Sequence, residues 1–251
     1  MIFNLLSWYL LIVLLGWITF PITYRLFDRL PDRGYTFSRI LGLLLWGFIF
    51  WFMGSLGLLQ NSPGAILLAM FVLISLSLWA GWRRGGEIWN WIRDHQRLIL
   101  MVEALFLVGF AFMAFVRASD PSATGTEKPM ELAFINAILN SETFPPHDPW
   151  LSGYAISYYH FGYIMVAMLA KVTFTSGGVA FNLMLASIFG MSAVGAYGIL
   201  YNLIIHYRTK LKSSVNALSW ALLGPLFLLL ISNLEILLEM AHQAGIGWDF
   251  T

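Results

Sequence analysis

Residues 144–163, FPPHDPWLSGYAISYYHFGY, decide how this chain threads a membrane. The stretch holds three prolines, two histidines, one aspartate and seven Phe, Trp or Tyr rings in twenty positions. It leads into YIMVAMLAKVTF, so 155–174 is apolar and about as long as a spanning helix must be, roughly 20 residues. Ser157, Tyr158, Tyr159, His160 and Lys171 interrupt it. If 155–174 crosses, every later segment reverses its direction. If it does not, 117–178 is one long loop on one side.

Working outward, the rest of the chain is membrane. It is 59% hydrophobic and 11% charged across 251 residues, with a mean hydropathy of +0.75. A soluble domain carries about 25% charged residues. A net charge of +1 without a basic run argues against a nucleic-acid partner. There is no cysteine, which excludes disulfides and thiolate metal sites. The first segment, MIFNLLSWYLLIVLLGWITFPITYRLF, lacks a basic n-region and a small-residue cleavage site, so it is expected to be a retained helix. Apolar runs at 4–24, 40–60, 65–82, 98–116, 179–205 and 216–238 predict six spans. The expected fold is an all-α integral membrane bundle with a large external loop bearing juxtamembrane helices.

Basic residues set the direction, because cytoplasmic loops are enriched in Lys and Arg. Arg25, Arg29, Arg33 and Arg39 follow the first span, and Arg83, Arg84, Arg93 and Arg97 follow the third. With both loops cytoplasmic, the fourth span exits at Arg117. Arg208, Lys210 and Lys212 then lie inside with the others only if 155–174 does not cross. That segment is therefore expected to be a juxtamembrane or re-entrant helix, with 117–178 on the external face of the cell membrane.

The expected loop is acidic in its first part. Residues 117–153 hold Asp120, Glu127, Glu131, Glu142 and Asp148 against two bases, Arg117 and Lys128. In TEKPMELAFINAILN, Thr126 is a suitable N-cap and Pro129 fits a first turn. Met130, Ala133, Phe134, Ala137 and Ile138 recur at helical spacing, predicting an amphipathic helix on the membrane surface. Glu127 and Glu131, four apart, share a face, where two like charges repel modestly unless a ligand or a reaction uses them. A solvated face and a favourable acid at a helix N-terminus is the simpler reading of the pair. Pro145, Pro146 and Pro149 stiffen the path on either side of Asp148. Trp150, Tyr154, Tyr158 and Tyr159 suit a membrane interface. His147, Asp148, Glu127 and Glu131 are ligand types for Mg²⁺, Mn²⁺ or Zn²⁺, with Asp148 and Glu131 the leading metal candidates. No HExxH, G-x-S-x-G, Walker or dinucleotide motif is present.

Arg117, TEKPMELAFINAILNS and FPPHDPWLSGYAISYYHFG resemble the YYY membrane protein family, multi-pass proteins of some bacteria and archaea. That family's pattern runs E-K-x-M-D, then P-P-x-D-P-W-x-x-G, then Y-Y-Y-F-G. DRLPDRGYTFSRILGLLLWGFIFWFMGSLG is similar to its start. Glu131 replaces the family's aspartate and keeps the carboxylate; His160 replaces the third tyrosine. Family members are much longer, which implies that this chain is an N-terminal part whose partners include the missing C-terminal part or a second subunit. The family is in turn similar to the C superfamily of glycosyltransferases, which take sugars from polyprenyl-phosphate donors and place an acidic residue early in a large first external loop.

The resemblance implies two regions: a three-span region, 1–97, and a glycosyltransferase-C-like module, 98–251. It implies an inverting transfer in which a carboxylate deprotonates the acceptor, in the order Glu127, Glu131, Asp120. Arg117 and Lys128 are expected to neutralise the donor phosphate. His147 and Asp148 are expected at the acceptor or a divalent cation (Mg²⁺ or Mn²⁺), and Trp150, Tyr158, Tyr159 and His160 around the donor. Two other classes compete. A transporter needs ionisable groups near mid-bilayer, for which Glu103 in LILMVEALF is the leading acid, two turns from Arg97. A non-catalytic scaffold needs none of the loop carboxylates.

Overall fold

A computed structural model describes residues 2–151, 153–158, 160–211, 216–231 and 234–246. Among these, every regular element is helical, and five helices are long and apolar enough to cross a membrane. They are α1 (Ile2–Leu26), α2 (Ser38–Ser55, preceded by the 3₁₀ turn Tyr35–Phe37), α3 (Pro63–Gly81), α5 (Gln96–Ser119) and α8 (Gly177–Leu211). Three shorter helices complete the body: α4 (Gly85–Asp94), α6 (Lys128–Asn140) and α7 (Phe161–Thr173).

Hydrophobicity does not hold membrane helices together, because lipid tails are as apolar as leucine; close packing and satisfied polar groups do. Helices α5 and α8 make the most extensive contact, and glycine lets them approach. A Cβ on Gly109 would lie 3.2 Å from the Cα of Gly190. The link before α2 is fastened by polar groups. The Asp32 carboxylate accepts from the backbone of Gly34 (3.0 Å) and the hydroxyl of Thr36 (2.5 Å), while the Asp32 amide donates to Asn202 of α8 (3.2 Å).

The bundle has two distinct ends. Arg29, Arg33, Arg83 and Arg84 lie in links at one of them, and Arg25, Arg93 and Arg97 in the helix turns next to those links; this is called here the basic end. Arg39 is not a loop residue as expected. It lies inside α2, 2% exposed, with its guanidinium over Phe106 (4.6 Å) and paired with Glu103. Tyr35 also donates to Glu103, at 2.6 Å. Thus Glu103 pairs with Arg39 rather than Arg97, because α2 and not the turn before α5 faces it.

At the other end, Arg117 Nε donates to Asn182 Oδ1 (2.7 Å), so the end of α5 and the start of α8 lie side by side. The segment between them therefore leaves and returns at one end of the bundle. Helix α7 has 13 residues, about 20 Å at 1.5 Å per residue, too short for a hydrocarbon core of about 30 Å. Both its ends meet elements of that same end: Phe161 packs on Trp51 late in α2, and Lys171 Nζ donates to Asn61 O in the α2–α3 turn (2.5 Å). It does not cross the bundle, as the charge pattern predicts.

One expected span takes a different form. Residues 216–238 are not one helix but Ala217–Trp220, Leu223–Pro225, a π-helical turn Leu226–Ile231, and α9 (Leu234–Gln243). Pro225 lacks an amide hydrogen and clashes with the preceding turn. Gly224 sits so close to α8 that a Cβ there would be 2.6 Å from Ala196 O. Helix α6 also differs from expectation. It begins at Lys128 with Glu127, not Thr126, in the N-cap position, and no side chain caps it. Its buried residues, Phe134, Ile135 and Ile138, face α7 and α8 rather than lipid.

Candidate functional site

The loop is built around α6. Asn61 closes the end of this helix, donating from its side-chain amide to Ile138 O (2.6 Å) and Ser141 O (2.8 Å). Phe144 wedges against Phe50 (5.2 Å between centroids), and a Cβ on Gly54 would collide with it at 2.3 Å. From there the chain makes a narrow double-back. Ile156 N donates to Pro146 O and Asp148 N to Tyr154 O, each at 2.9 Å. The returning segment lays Trp150, Tyr158 and Tyr163 on Phe134, with centroids 5.4, 6.2 and 5.7 Å away. Trp150, Tyr158 and Tyr163 of the opening stretch thus pack on α6, and this fixes where α7 begins.

That packing brings Tyr163 to Glu131, hydroxyl to carboxylate at 3.5 Å. Burial first, and the Glu131 charge second, push the Tyr163 phenol up to about 12. Both residues line a cavity of about 350 Å³ between α2, α6, α7 and α8. Its wall is otherwise apolar, including Ile40, Leu44, Met165, Met184 and Ile188, and Glu131 is its one ionisable carboxylate. Leu44 and Ile188 in its wall are exposed, so the cavity is open rather than sealed inside the bundle. Glu127 and Lys128 lie one turn before Glu131 on α6, with Glu127 exposed and close enough to raise Tyr163 further. An arrangement of this kind accommodates an apolar chain with a polar group at the α6 end, next to a carboxylate able to accept a proton.

Other predicted residues lie elsewhere. Asp120 is fully exposed and accepts from the Ser122 hydroxyl (2.5 Å) and amide (3.3 Å), which hold its carboxyl below the ordinary range. Arg117 is engaged by Asn182 and by Ser122 O (3.0 Å), tying the loop to α8. Asp148 accepts from the amides of Trp150 and Leu151 (2.8 Å each), the geometry of an Asx turn. It lines a separate polar recess with His147, Asn136, Asn140 and Ser141. Asp148 and Glu131 therefore belong to different recesses, and no three His, Asp or Glu residues gather as a metal site among the described residues. His160 occupies the N-cap position of α7, its ring nitrogen 3.1 Å from Tyr158 O. Tyr158 packs on Phe134 and does not line the cavity. Tyr159 lies outside the described residues.

Sequence reasoning overlooked Tyr163. The signal was its place as the last ring of the opening stretch, at the start of the apolar helix, where a tyrosine faces either lipid or a polar partner.

Residues 45–247 match the model of the family described as Uncharacterized membrane protein (DUF2298). The chain belongs to this family. The DUF2298 match takes in the whole loop, α6, α7 and α8, and fits the expectation of a multi-pass membrane family. No curated protein and no solved structure matches the chain.

Proposed function

We propose that the chain is a membrane glycosyltransferase-like protein that moves a sugar from a polyprenyl-phosphate donor to an acceptor on the external face. The observation that carries the reading is the apolar cavity with Glu131 and Tyr163 in its wall. A polyprenyl chain matches the cavity's apolar wall and its opening between membrane helices. Lys128, one turn from Glu131, is the cation available to the donor phosphate. The basic links at the far end favour placing that end in the cytoplasm and the loop outside. Residues 1–97 then serve as a supporting region for a transfer module that begins at 98, and α7 joins the two by packing on α1, α2 and α3.

In the step itself, Glu131 takes the proton of the acceptor hydroxyl. The freed oxygen attacks the anomeric carbon, and the bond from that carbon to the phosphate oxygen breaks. The sugar inverts, and the polyprenyl phosphate keeps the bonding electrons. Glu131 rather than Glu127 is the base, because it alone of the two lines the cavity.

The test is photolabelling of membranes with a benzophenone-bearing polyprenyl phosphate, followed by peptide mapping. The reading expects labels on α2, α7 and α8 that undecaprenyl phosphate displaces and undecaprenol does not. Glu131→Gln is expected to keep the label and abolish release of polyprenyl phosphate from sugar-loaded donor. Labels scattered over the bundle surface, or displaced equally by the alcohol, would contradict it.

A further inference from the structure

A second recess lies at the basic end, far from Glu131, and the transferase reading does not use it. It measures about 530 Å³ and is lined by Arg25, Trp79, Ala80, Trp82, Arg83 and Arg84. Arg25 comes from the last turn of α1, while Arg83 and Arg84 sit on the link from α3 to α4. Three arginines from two separate parts of the chain thus line one recess. Like charges gathered without a counter-charge repel one another. Among the described residues the ion pair found joins Arg39 to Glu103, and none of these three arginines has a carboxylate within ion-pair distance. Their charge awaits an anion.

The surroundings say which anion. Arg25 lies over the face of Trp79, 4.7 Å from the ring centroid, which fixes it at the level of an indole. Tryptophan marks the boundary between headgroups and acyl chains. Trp79 is 67% and Trp82 79% exposed, and Leu26 and Leu78 beside them are exposed as well. A soluble phosphate would meet the arginines but would leave this apolar rim in contact with nothing suited to it. A phospholipid satisfies both, with its phosphate in the arginine fork and its chains along Leu26 and Leu78. Helix α4 then runs on across the same end, with Trp91 buried against Phe20 and Tyr35 and Trp89 exposed.

We propose that the recess formed by Arg25, Arg83, Arg84, Trp79 and Trp82 binds the headgroup of an anionic phospholipid from the leaflet at the basic end. The purified chain is mixed in detergent with phosphatidylglycerol or with phosphatidylcholine of the same acyl chains, and lipid adducts are counted by native mass spectrometry. Phosphatidylglycerol is expected to be retained preferentially. The combined variant R25Q/R83Q/R84Q is expected to weaken that retention by about tenfold or more, since each basic group near an anionic surface contributes measurably. The variant R29Q/R93Q/R97Q, which loses the same charge from the same end, is expected to leave it unchanged. Trp79→Leu, which alters no charge, is expected to weaken it too, and it decides the matter if the arginine variant does not purify as a single species. Equal loss in the two arginine variants, or no loss with Trp79→Leu, would overturn the site. Glycerophosphoglycerol, the headgroup without chains, and inorganic phosphate are added as competitors. Failure to displace the lipid is expected, and displacement would reassign the recess to a soluble phosphate and overturn the lipid assignment.

Discussion

Removing Glu103 leaves a buried cation alone. Arg39 is 2% exposed between α1, α2 and α5, whereas Glu103 is 23% exposed. Arg39 Nη2 meets Glu103, and Nε and Nη1 have no partner. The phenyl face of Phe106 offers some attraction, on the order of 1 kcal/mol. Breaking a buried pair from one side costs about 3–5 kcal/mol, while replacing both partners by apolar groups of similar volume is often neutral. Glu103→Leu is therefore expected to destabilise the chain by about 3 kcal/mol or more. Arg39→Met is expected to cost less, because the remaining carboxylate is partly exposed and keeps Tyr35 as donor. The double variant is expected to recover most of the loss. Reversible unfolding in mixed micelles with rising dodecyl sulfate, read by tryptophan fluorescence, measures all four species. Additive single effects, or a Glu103→Leu cost under about 1 kcal/mol, would refute the claim that Arg39 depends on this carboxylate.

Three further outcomes follow from the geometry. Gly198→Ala puts a methyl 2.5 Å from the Cβ of the buried Thr36, whose hydroxyl is held by Asp32, and is expected to cost about 1–3 kcal/mol by overpacking; the same unfolding assay checks it. Because burial and the Glu131 charge disfavour the phenolate, the Tyr163 signal at 295 nm, isolated by subtracting a Tyr163→Phe variant, is expected to rise near pH 12 rather than 10, and Glu131→Gln is expected to bring it lower. Below pH 10 the phenol is neutral in both folded and unfolded chains; between about 10 and 12 only the unfolded chain ionises, so this residue's contribution to stability falls across that window. Asp148→Ala releases the amides of Trp150 and Leu151 and is expected to increase proteolytic nicking near 150 while leaving the cavity intact, as read by limited proteolysis and photolabelling together.

Much of the fold was legible because apolar runs of span length have few other uses. Five of the expected spans sit where hydropathy put them, within a few residues. The sixth was not legible, because hydropathy responds to Leu226–Ile231 but not to the turn at Ala221–Leu222 or the π-helical bonding that follows Pro225. Arg39 was misread for a related reason. An arginine at the edge of an apolar run looks like a loop residue until its partner, 64 positions away, is known. In the loop, the pairing of Glu127 with Glu131 on one face was legible from spacing, but which of the two meets a cavity depends on how α7 docks. That docking is set by Phe134, Trp150, Tyr158 and Tyr163 packing together across some thirty residues, which no local pattern records. Asp148 drew attention as a rigidly held acid, and the same prolines that hold it also form the turn that occupies it.

The claim on which the rest depends is that α7 returns the chain to the side it left. The native chain has no cysteine, so single cysteines at Ser119, Ser176 and Asp28 can be probed in intact cells with an impermeant thiol reagent. The account predicts labelling at 119 and 176 and none at 28. Labelling at 119 but at neither 176 nor 28 would mean that α7 crosses, and would dismantle both the loop and the site built on it.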